Sequence, residues 1–129
     1  MPESTANKAA AAESAYFFVN SAVPMLTKST AADAAKKIAE ETEELKTADD
    51  AHRVEEGGDL LFAVVNALRF YKVEPELALS EANKKFVRRF TAVENAVKAS
   101  GKDMKDCSLD ELDAIWNRVK QQEKQNDKQ

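Results

Sequence analysis

The sequence predicts an all-α protein with a four-helix-bundle-like fold, in which four main helices are preceded by an additional N-terminal helix or arm. Apolar residues recur at helical spacing along most of the chain. Only three glycines and three prolines interrupt its 129 residues, and charged residues make up 33% of it against 43% hydrophobic residues. This composition suits a soluble helical protein with one domain.

Three segments are expected along the chain. Residues 1–13 are interpreted as a flexible N-terminal arm, residues 14–124 as a single all-α domain, and residues 125–129 as a polar C-terminal tail. A short helix over residues 14–23 is expected to end near Pro24, because proline cannot continue a helix.

The four main helices are marked by start and stop signals. They are expected over about residues 30–48, 50–72 and 75–101 and from Ser108 onward. Capping residues open the first and the last of them, proline opens the third, and glycine ends it. The second contains the run Leu60–Val65, which is apolar on every side and therefore predicts a central, buried helix.

The first main helix carries a carboxylate where its pattern requires an apolar residue. Glu41 and Glu40 lie three and four positions before Glu44, so all three share about one third of the helix circumference. Glu41 completes the helical period of Ala34 and Ile38, so it falls on the packed side. A carboxylate in that position is costly unless a partner compensates its charge.

A second pair of carboxylates repeats this spacing on the next helix. Glu56 and Asp59 are three apart, and Asp59 opens a stripe that includes Asn66, so Asp59 and Asn66 are expected to point into the packed interior. Converging carboxylates repel one another and take up protons unless a cation holds them ionised. No histidine or cysteine joins them, which favours magnesium, with manganese as the alternative, over zinc. The predicted ligands are Glu41, Glu44, Glu56 and Asp59.

These motifs, in this order, resemble a known enzyme family. The matching segments are Glu-Glu-x-x-Glu at 40–44, Glu-x-x-Asp at 56–59, Leu-Leu-Phe-Ala-Val-Val-Asn at 60–66, and the stretches 82–90 and 109–116. They are similar to the MazG-type nucleoside triphosphate pyrophosphohydrolases of the all-alpha NTP pyrophosphatase superfamily, especially to the C-terminal domain of the two-domain members. The likeness covers about residues 34–123.

The resemblance implies hydrolysis of a nucleoside triphosphate between its α- and β-phosphates, which yields a nucleoside monophosphate and pyrophosphate. In the mechanism that we expect, a metal-bound water is oriented or deprotonated by Glu40 or Glu41 and attacks phosphorus in line, while the metal stabilises the growing charge. A homodimer or higher homo-oligomer is expected from the apolar surface of so short a helical chain, and the resemblance supports it.

Further residues are expected to contact the substrate. Lys85 and Arg89 lie four apart on one helix and can neutralise the non-reacting phosphates together. Arg53 is interpreted as a counter-ion or phosphate contact near the carboxylates. The predicted contacts to sugar and base are Asn66, Asn83 and, through the resemblance, Trp116.

Several other function classes are disfavoured. The net charge of -4 and the pI of about 5.1 argue against nucleic acid as a partner, because a phosphate backbone requires a basic face. No apolar run approaches the roughly 18 to 20 residues of a membrane span, and no signal peptide is recognised. The single cysteine, Cys107, excludes an intramolecular disulfide, and we expect a cytoplasmic protein.

Two alternative functions fit the same motifs. Related deoxynucleotide and phosphoribosyl-ATP pyrophosphohydrolases share the EExxE and ExxD motifs, although residues 82–90 favour the MazG type. The second alternative is a non-enzymatic helical regulator that kept the bundle. Its motivation is the short spacer between Glu44 and Glu56, the glycine at position 57, where the family usually has a larger residue, and an N-terminal stretch that departs from the family pattern.

Overall fold

The computed structural model describes residues 15–128, so the expected arm over residues 1–13 lies outside the described part of the chain. Within the described part all regular secondary structure is helical and there is no strand, which confirms the all-α prediction. The chain divides into two compact units, one ending at Ala78 and the other beginning at Leu79.

Six α-helices and one 3-10 turn make up the described chain. They are α1 (Ala15–Ser21), α2 (Val23–Leu26), α3 (Ala31–Thr47), α4 (Arg53–Arg69), α5 (Pro75–Ala99), the 3-10 turn Met104–Asp106 and α6 (Leu109–Asp127). The four long helices, α3 to α6, correspond to the four that the sequence predicts.

Two of the expected boundaries differ from the structure. Pro24 does not end the first helix; α1 ends at Ser21 and Pro24 lies in the first turn of α2, where a missing backbone N–H costs nothing. The polar residues 125–127, assigned to a C-terminal tail, continue helix α6 to Asp127.

The predicted capping signals account for the start of α3 and the end of α5. The backbone N–H of Asp33 donates to Thr30 Oγ1 at 3.2 Å and the Thr30 N–H donates back to Asp33 Oδ2 at 3.0 Å, a complete capping box. At the end of α5, Gly101 adopts a φ of 81°, and the N–H of Lys102 reaches the carbonyl of Val97 at 3.3 Å. This is the left-handed helix end for which glycine is the preferred residue.

The first unit is organised around helix α4. Both α1 and α3 pack against it, and the small core includes Val19, Ala34 and Ala63. The prediction of a central helix is confirmed for this unit, but the prediction that the Leu60–Val65 run is buried is wrong, because Leu61 is 70% exposed and Ala63 is the buried residue of α4. The helices that pack on α4 cover one side of it and leave the other side exposed.

The second unit has its own core between α5 and α6. Val93, Val97 and Val119 are buried there, and partly buried residues around them include Ile115 and Trp116. Within residues 15–128, the face of α5 that carries apolar residues at helical spacing is therefore covered only toward its C-terminal end. Toward the N-terminal end of that face, large side chains remain exposed, namely Leu79, Phe86 and Phe90.

No helix within residues 15–128 is both long enough and apolar enough to cross a membrane.

Candidate functional site

Three carboxylates converge where α3 packs against α4. Glu41 comes from α3, and Glu56 and Asp59 come from successive turns of α4. One carboxylate oxygen from each lies within 4.8 Å of the corresponding oxygens of the other two. Glu41 is only 6% exposed, as its phase on the helix predicts.

Two oxygens of this cluster are buried and unpaired. Oε1 of Glu41 forms an ion pair with Lys37 Nζ at 2.9 Å, but Oε2 of Glu41 has no hydrogen-bond partner among the described residues. Oε2 of Glu56 is also buried and also has no hydrogen-bond partner among the described residues. A buried carboxylate oxygen without a partner is unfavourable, and either a proton or a cation bound between the carboxylates would relieve it.

The charges of the cluster disfavour the ionised form of Glu56. Burial raises the pKa of Glu56, and the charge and hydrogen bond of Glu44 and the charges of Asp59 and Glu41 raise this pKa further. Glu44, the fourth predicted ligand, thus acts on Glu56, although it is not one of the three residues with closely converging oxygens. A cation at the cluster would hold these carboxylates in the ionised state.

Glu41 and Asp59 also line a cleft of about 590 Å³ in the first unit. Helices α3 and α4 supply most of its wall, with α2 and the segment after it. The lining residues are Val23, Thr27, Ser29, Asp33, Ala34, Lys36, Lys37, Glu40, Glu41, Asp59, Phe62, Ala63 and Asn66. The expectation that Asp59 and Asn66 point into a packed interior is therefore wrong, because both face this open cleft and Asp59 is exposed.

The donor set fits a magnesium ion. All three converging ligands offer carboxylate oxygens, and within residues 15–128 no histidine or cysteine joins the cluster. Hard oxygen donors of this kind suit magnesium and manganese, whereas zinc sites are built largely from nitrogen and sulfur. The two buried oxygens without a partner among residues 15–128 support the fit of this cluster to a magnesium ion, because a bound ion would satisfy both.

Of the other residues predicted in the first unit, Glu40 and Asn66 line the cleft. Glu40 is exposed and lies 3.8 Å from Lys37 Nζ, a long ion pair. Arg53, at the start of α4, forms its ion pair with Asp50 in the preceding loop rather than with the cluster carboxylates.

Four predicted substrate contacts lie in the second unit. Asn83 and Lys85 are exposed on α5. Arg89 donates from Nε to Glu123 Oε2 at 2.7 Å. Trp116 is half-buried, with its ring centroid 5.6 Å from that of Phe86.

Three interacting residues were missed by the sequence interpretation. Lys37 pairs with Glu41 and Arg69 donates to Asn66, and both pairs have helical spacings that could have indicated them. Glu123 binds Arg88 as well as Arg89, and these hydrogen bonds hold the pKa of Glu123 below its ordinary value, with Arg89 as the larger cause. Glu123 is 34 residues from Arg89, so no local pattern signals that contact.

No family model matches the chain. Curated relatives match part of it. It is 43% identical over 86 residues to the "Nucleoside triphosphate pyrophosphohydrolase/pyrophosphatase MazG" of Thermotoga maritima, which is 66% of this chain and 34% of that relative. It is 47% identical over 75 residues to the "Nucleoside triphosphate pyrophosphohydrolase" of Escherichia coli K12, which is 58% of this chain and 28% of that relative.

A further relative has no function in its name. The "Uncharacterized protein YabN" of Bacillus subtilis strain 168 is 48% identical over 71 residues, which is 55% of this chain and 14% of that protein. The chain thus spans about a third or less of the length of these curated relatives. Their similarity confirms the resemblance to the MazG-type nucleoside triphosphate pyrophosphohydrolases.

Proposed function

We propose that this MazG-like chain hydrolyses nucleoside triphosphates to a nucleoside monophosphate and pyrophosphate, with magnesium, or manganese in its place, as the cofactor. The observation that carries the proposal is the convergence of Glu41, Glu56 and Asp59 beside a cleft, with two buried carboxylate oxygens that lack a partner. The reaction is taken from the names of two relatives, each called a nucleoside triphosphate pyrophosphohydrolase. Because the chain spans only about a third or less of the length of these relatives, its own activity is a proposal.

The short spacer between the two motifs gives little support to the regulator alternative. If it had moved the motifs out of register, the carboxylates of α3 and α4 would not meet. Their oxygens nevertheless lie within 4.8 Å of one another. The spacer therefore gives no reason to prefer a regulator that kept the bundle and lost turnover, and the product analysis below separates that alternative from the enzyme.

The carboxylates are proposed to divide the work by their position. Glu41, Glu56 and Asp59 would hold the cation, with Glu44 beside Glu56. A magnesium ion bound there supplies charge neutralisation for the phosphates and lowers the pKa of a coordinated water. Asp33 and Glu40 line the cleft without belonging to the cluster. Asp33 is engaged in the capping box with Thr30, so Glu40 is the carboxylate proposed to orient the attacking water and to accept its proton.

The remaining contacts are proposed by residue type. Lys85 and Arg89 would neutralise the phosphates that do not react. Arg89 hydrogen-bonds Glu123 through Nε, which leaves its terminal nitrogens for an anion. Asn66, Asn83 and Trp116 as nucleoside contacts, Arg53 as a phosphate contact, and a cytoplasmic location stay predictions.

We propose that the chain works as a homodimer or higher homo-oligomer. Large apolar side chains are exposed in both units, among them Leu61 at 70%, Leu79 at 63% and Phe86 at 54%. Covering such side chains between two copies removes apolar surface from water, which is favourable. We expect sedimentation equilibrium at micromolar concentration to give at least twice the chain mass of 14.3 kDa, and a mass of 14.3 kDa would contradict the proposal.

The reaction is tested by product analysis. The purified protein is incubated with each ribo- and deoxynucleoside triphosphate and with phosphoribosyl-ATP in the presence of magnesium, and the products are separated. We expect monophosphate with pyrophosphate, lost when a chelator is added. Diphosphate with phosphate would refute cleavage between the α- and β-phosphates, turnover of phosphoribosyl-ATP alone would favour the related enzyme, and no turnover would favour the regulator.

A further inference from the structure

The side chains that α4 contributes to the cleft change from acidic to apolar and then to polar along the helix. Asp59 belongs to the carboxylate cluster, Phe62 and Ala63 form an apolar stretch one turn later, and Asn66 follows after another turn. At about 1.5 Å of rise per residue, Asn66 lies roughly 10 Å along the helix from Asp59. A substrate with its phosphates at the carboxylates would therefore place its nucleoside against the apolar stretch and Asn66.

A neighbouring arginine fixes which end of the Asn66 amide is engaged within the protein. Arg69 Nε donates to Asn66 Oδ1 at 2.7 Å. Arginine is only a donor, so the amide oxygen must point toward Arg69 and the amide nitrogen must point away from it. Arg69 is itself held over the ring of Phe70, with its guanidinium carbon 4.2 Å from the ring centroid.

The amide nitrogen of Asn66 is left available for a ligand. Asn66 is half-buried and lines the cleft, and its Nδ2 makes no hydrogen bond to any of residues 15–128. A donor in such a place can bond to water or to an acceptor on a bound molecule. If the amide were free to rotate, it could present its oxygen instead and would not select for an acceptor.

We infer that Arg69 is a positioning residue that holds Asn66 as a hydrogen-bond donor toward an acceptor atom on the sugar or base of the nucleotide. This inference rests on the proposed function and extends it to the nucleoside half of the substrate. Arg69 acts through Asn66 rather than by contact with the substrate. Phe70 contacts Arg69, and Arg69 donates to Asn66. Together these contacts determine which amide atom of Asn66 is left for a ligand.

Calorimetric titration with nucleotides that cannot be hydrolysed to pyrophosphate tests the inference. The ligands are AMP, GMP, CMP and UMP, their 2′-deoxy counterparts, and pyrophosphate as the ligand without a nucleoside, all with magnesium. Asn66→Asp keeps an acceptor for Arg69 but removes the donor, and we expect at least about tenfold weaker monophosphate binding. Arg69→Ala frees the amide, and we expect about fivefold weaker binding, comparable with one neutral hydrogen bond.

Pyrophosphate separates this role from a general loss of binding. Its affinity should change by less than about twofold in both variants, because a charge roughly 10 Å away is largely screened at physiological salt. Asn95→Asp and Arg118→Ala make the same charge changes at exposed positions of the second unit and should bind all ligands as the unmodified chain does. Helical content and thermal unfolding are compared for all four variants.

The outcomes separate this inference from the proposed function. If the unmodified chain binds monophosphates and both Asn66→Asp and Arg69→Ala bind them equally well, the inferred role of Arg69 is overturned and the proposed function is not. An equal loss of pyrophosphate affinity would also overturn it. Failure of the unmodified chain to bind any monophosphate would overturn both. If the effect disappears with the 2′-deoxy ligands, the acceptor is the sugar hydroxyl, and if it persists, the acceptor is on the base or elsewhere on the sugar.

Discussion

Replacing Glu56 with glutamine is expected to lower nucleoside triphosphate hydrolysis by at least about a hundredfold while leaving the helical content unchanged. Loss of a residue that merely supports a metal ligand already costs about 10- to 100-fold, so loss of the ligand charge itself should cost no less. Glu56 contributes one of the two buried oxygens without a partner among residues 15–128, and it is one of the three converging carboxylates. Asp59→Asn is expected to have the same effect, measured by steady-state pyrophosphate release.

The same substitution should raise the stability of the metal-free protein. The pKa of Glu56 is raised by its burial and by the charges around it, which means that folding disfavours the ionised form of this carboxylate. Glutamine keeps the shape and removes the charge, so the thermal unfolding midpoint in chelator should increase. A loss of activity together with a gain in stability is expected of a ligand and not of a residue that supports the fold.

Glu55→Gln is the matched control for both measurements. Glu55 is the adjacent residue on α4, is exposed, and does not belong to the cluster. We expect its activity within about twofold of the unmodified chain, since exposed charges contribute little. Full activity of Glu56→Gln, or an equal loss in Glu55→Gln, would refute the assignment of Glu56 to the metal site.

Glu40→Gln is expected to lower kcat by a factor on the order of 100 or more, with metal affinity unchanged. A positioned general base contributes about 10²- to 10⁴-fold to a rate, whereas Glu40 is not among the converging ligands. Glu41→Gln should behave differently, because it removes a ligand charge and should weaken metal binding as well as turnover. Steady-state kinetics with a metal titration for each variant separates the two roles.

Glu43→Gln is the control on the same helix. Glu43 is exposed and pairs with Lys46 at 3.5 Å, and it does not line the cleft. It should retain normal kcat and metal affinity. If Glu40→Gln also retained normal kcat, the role of base would pass from Glu40 to Glu41, the alternative that the sequence leaves open.

The helices could be predicted from the sequence because their signals are local. The Thr30 capping box and the glycine at position 101 each act within a few residues, and the structure shows both. The exposure of Leu61 could not be predicted in this way, because an all-round apolar pattern says that a helix can be buried but not what covers it. Burial is a property of the tertiary packing.

The carboxylate cluster was predictable for a similar reason. The position of Glu41 within the helical period indicated its burial, and the i, i+3 spacing placed Glu56 and Asp59 on one face. The openness of the cleft was not predictable, so Asp59 and Asn66 were assigned to the interior. Lone helical spacings also do not reveal which side chains pair, which is why the hydrogen bond of Arg69 to Asn66 was found only in the structure.

The measurement that tests the central claim most directly is manganese binding to the unmodified chain, Glu56→Gln and Glu55→Gln, followed by electron paramagnetic resonance. Manganese substitutes for magnesium at oxygen sites and is visible by this method. We predict that the unmodified chain and Glu55→Gln bind manganese with the same affinity, that magnesium displaces it, and that Glu56→Gln binds it at least about tenfold more weakly. Equal affinity in all three proteins would contradict the assignment of Glu41, Glu56 and Asp59 as the metal site.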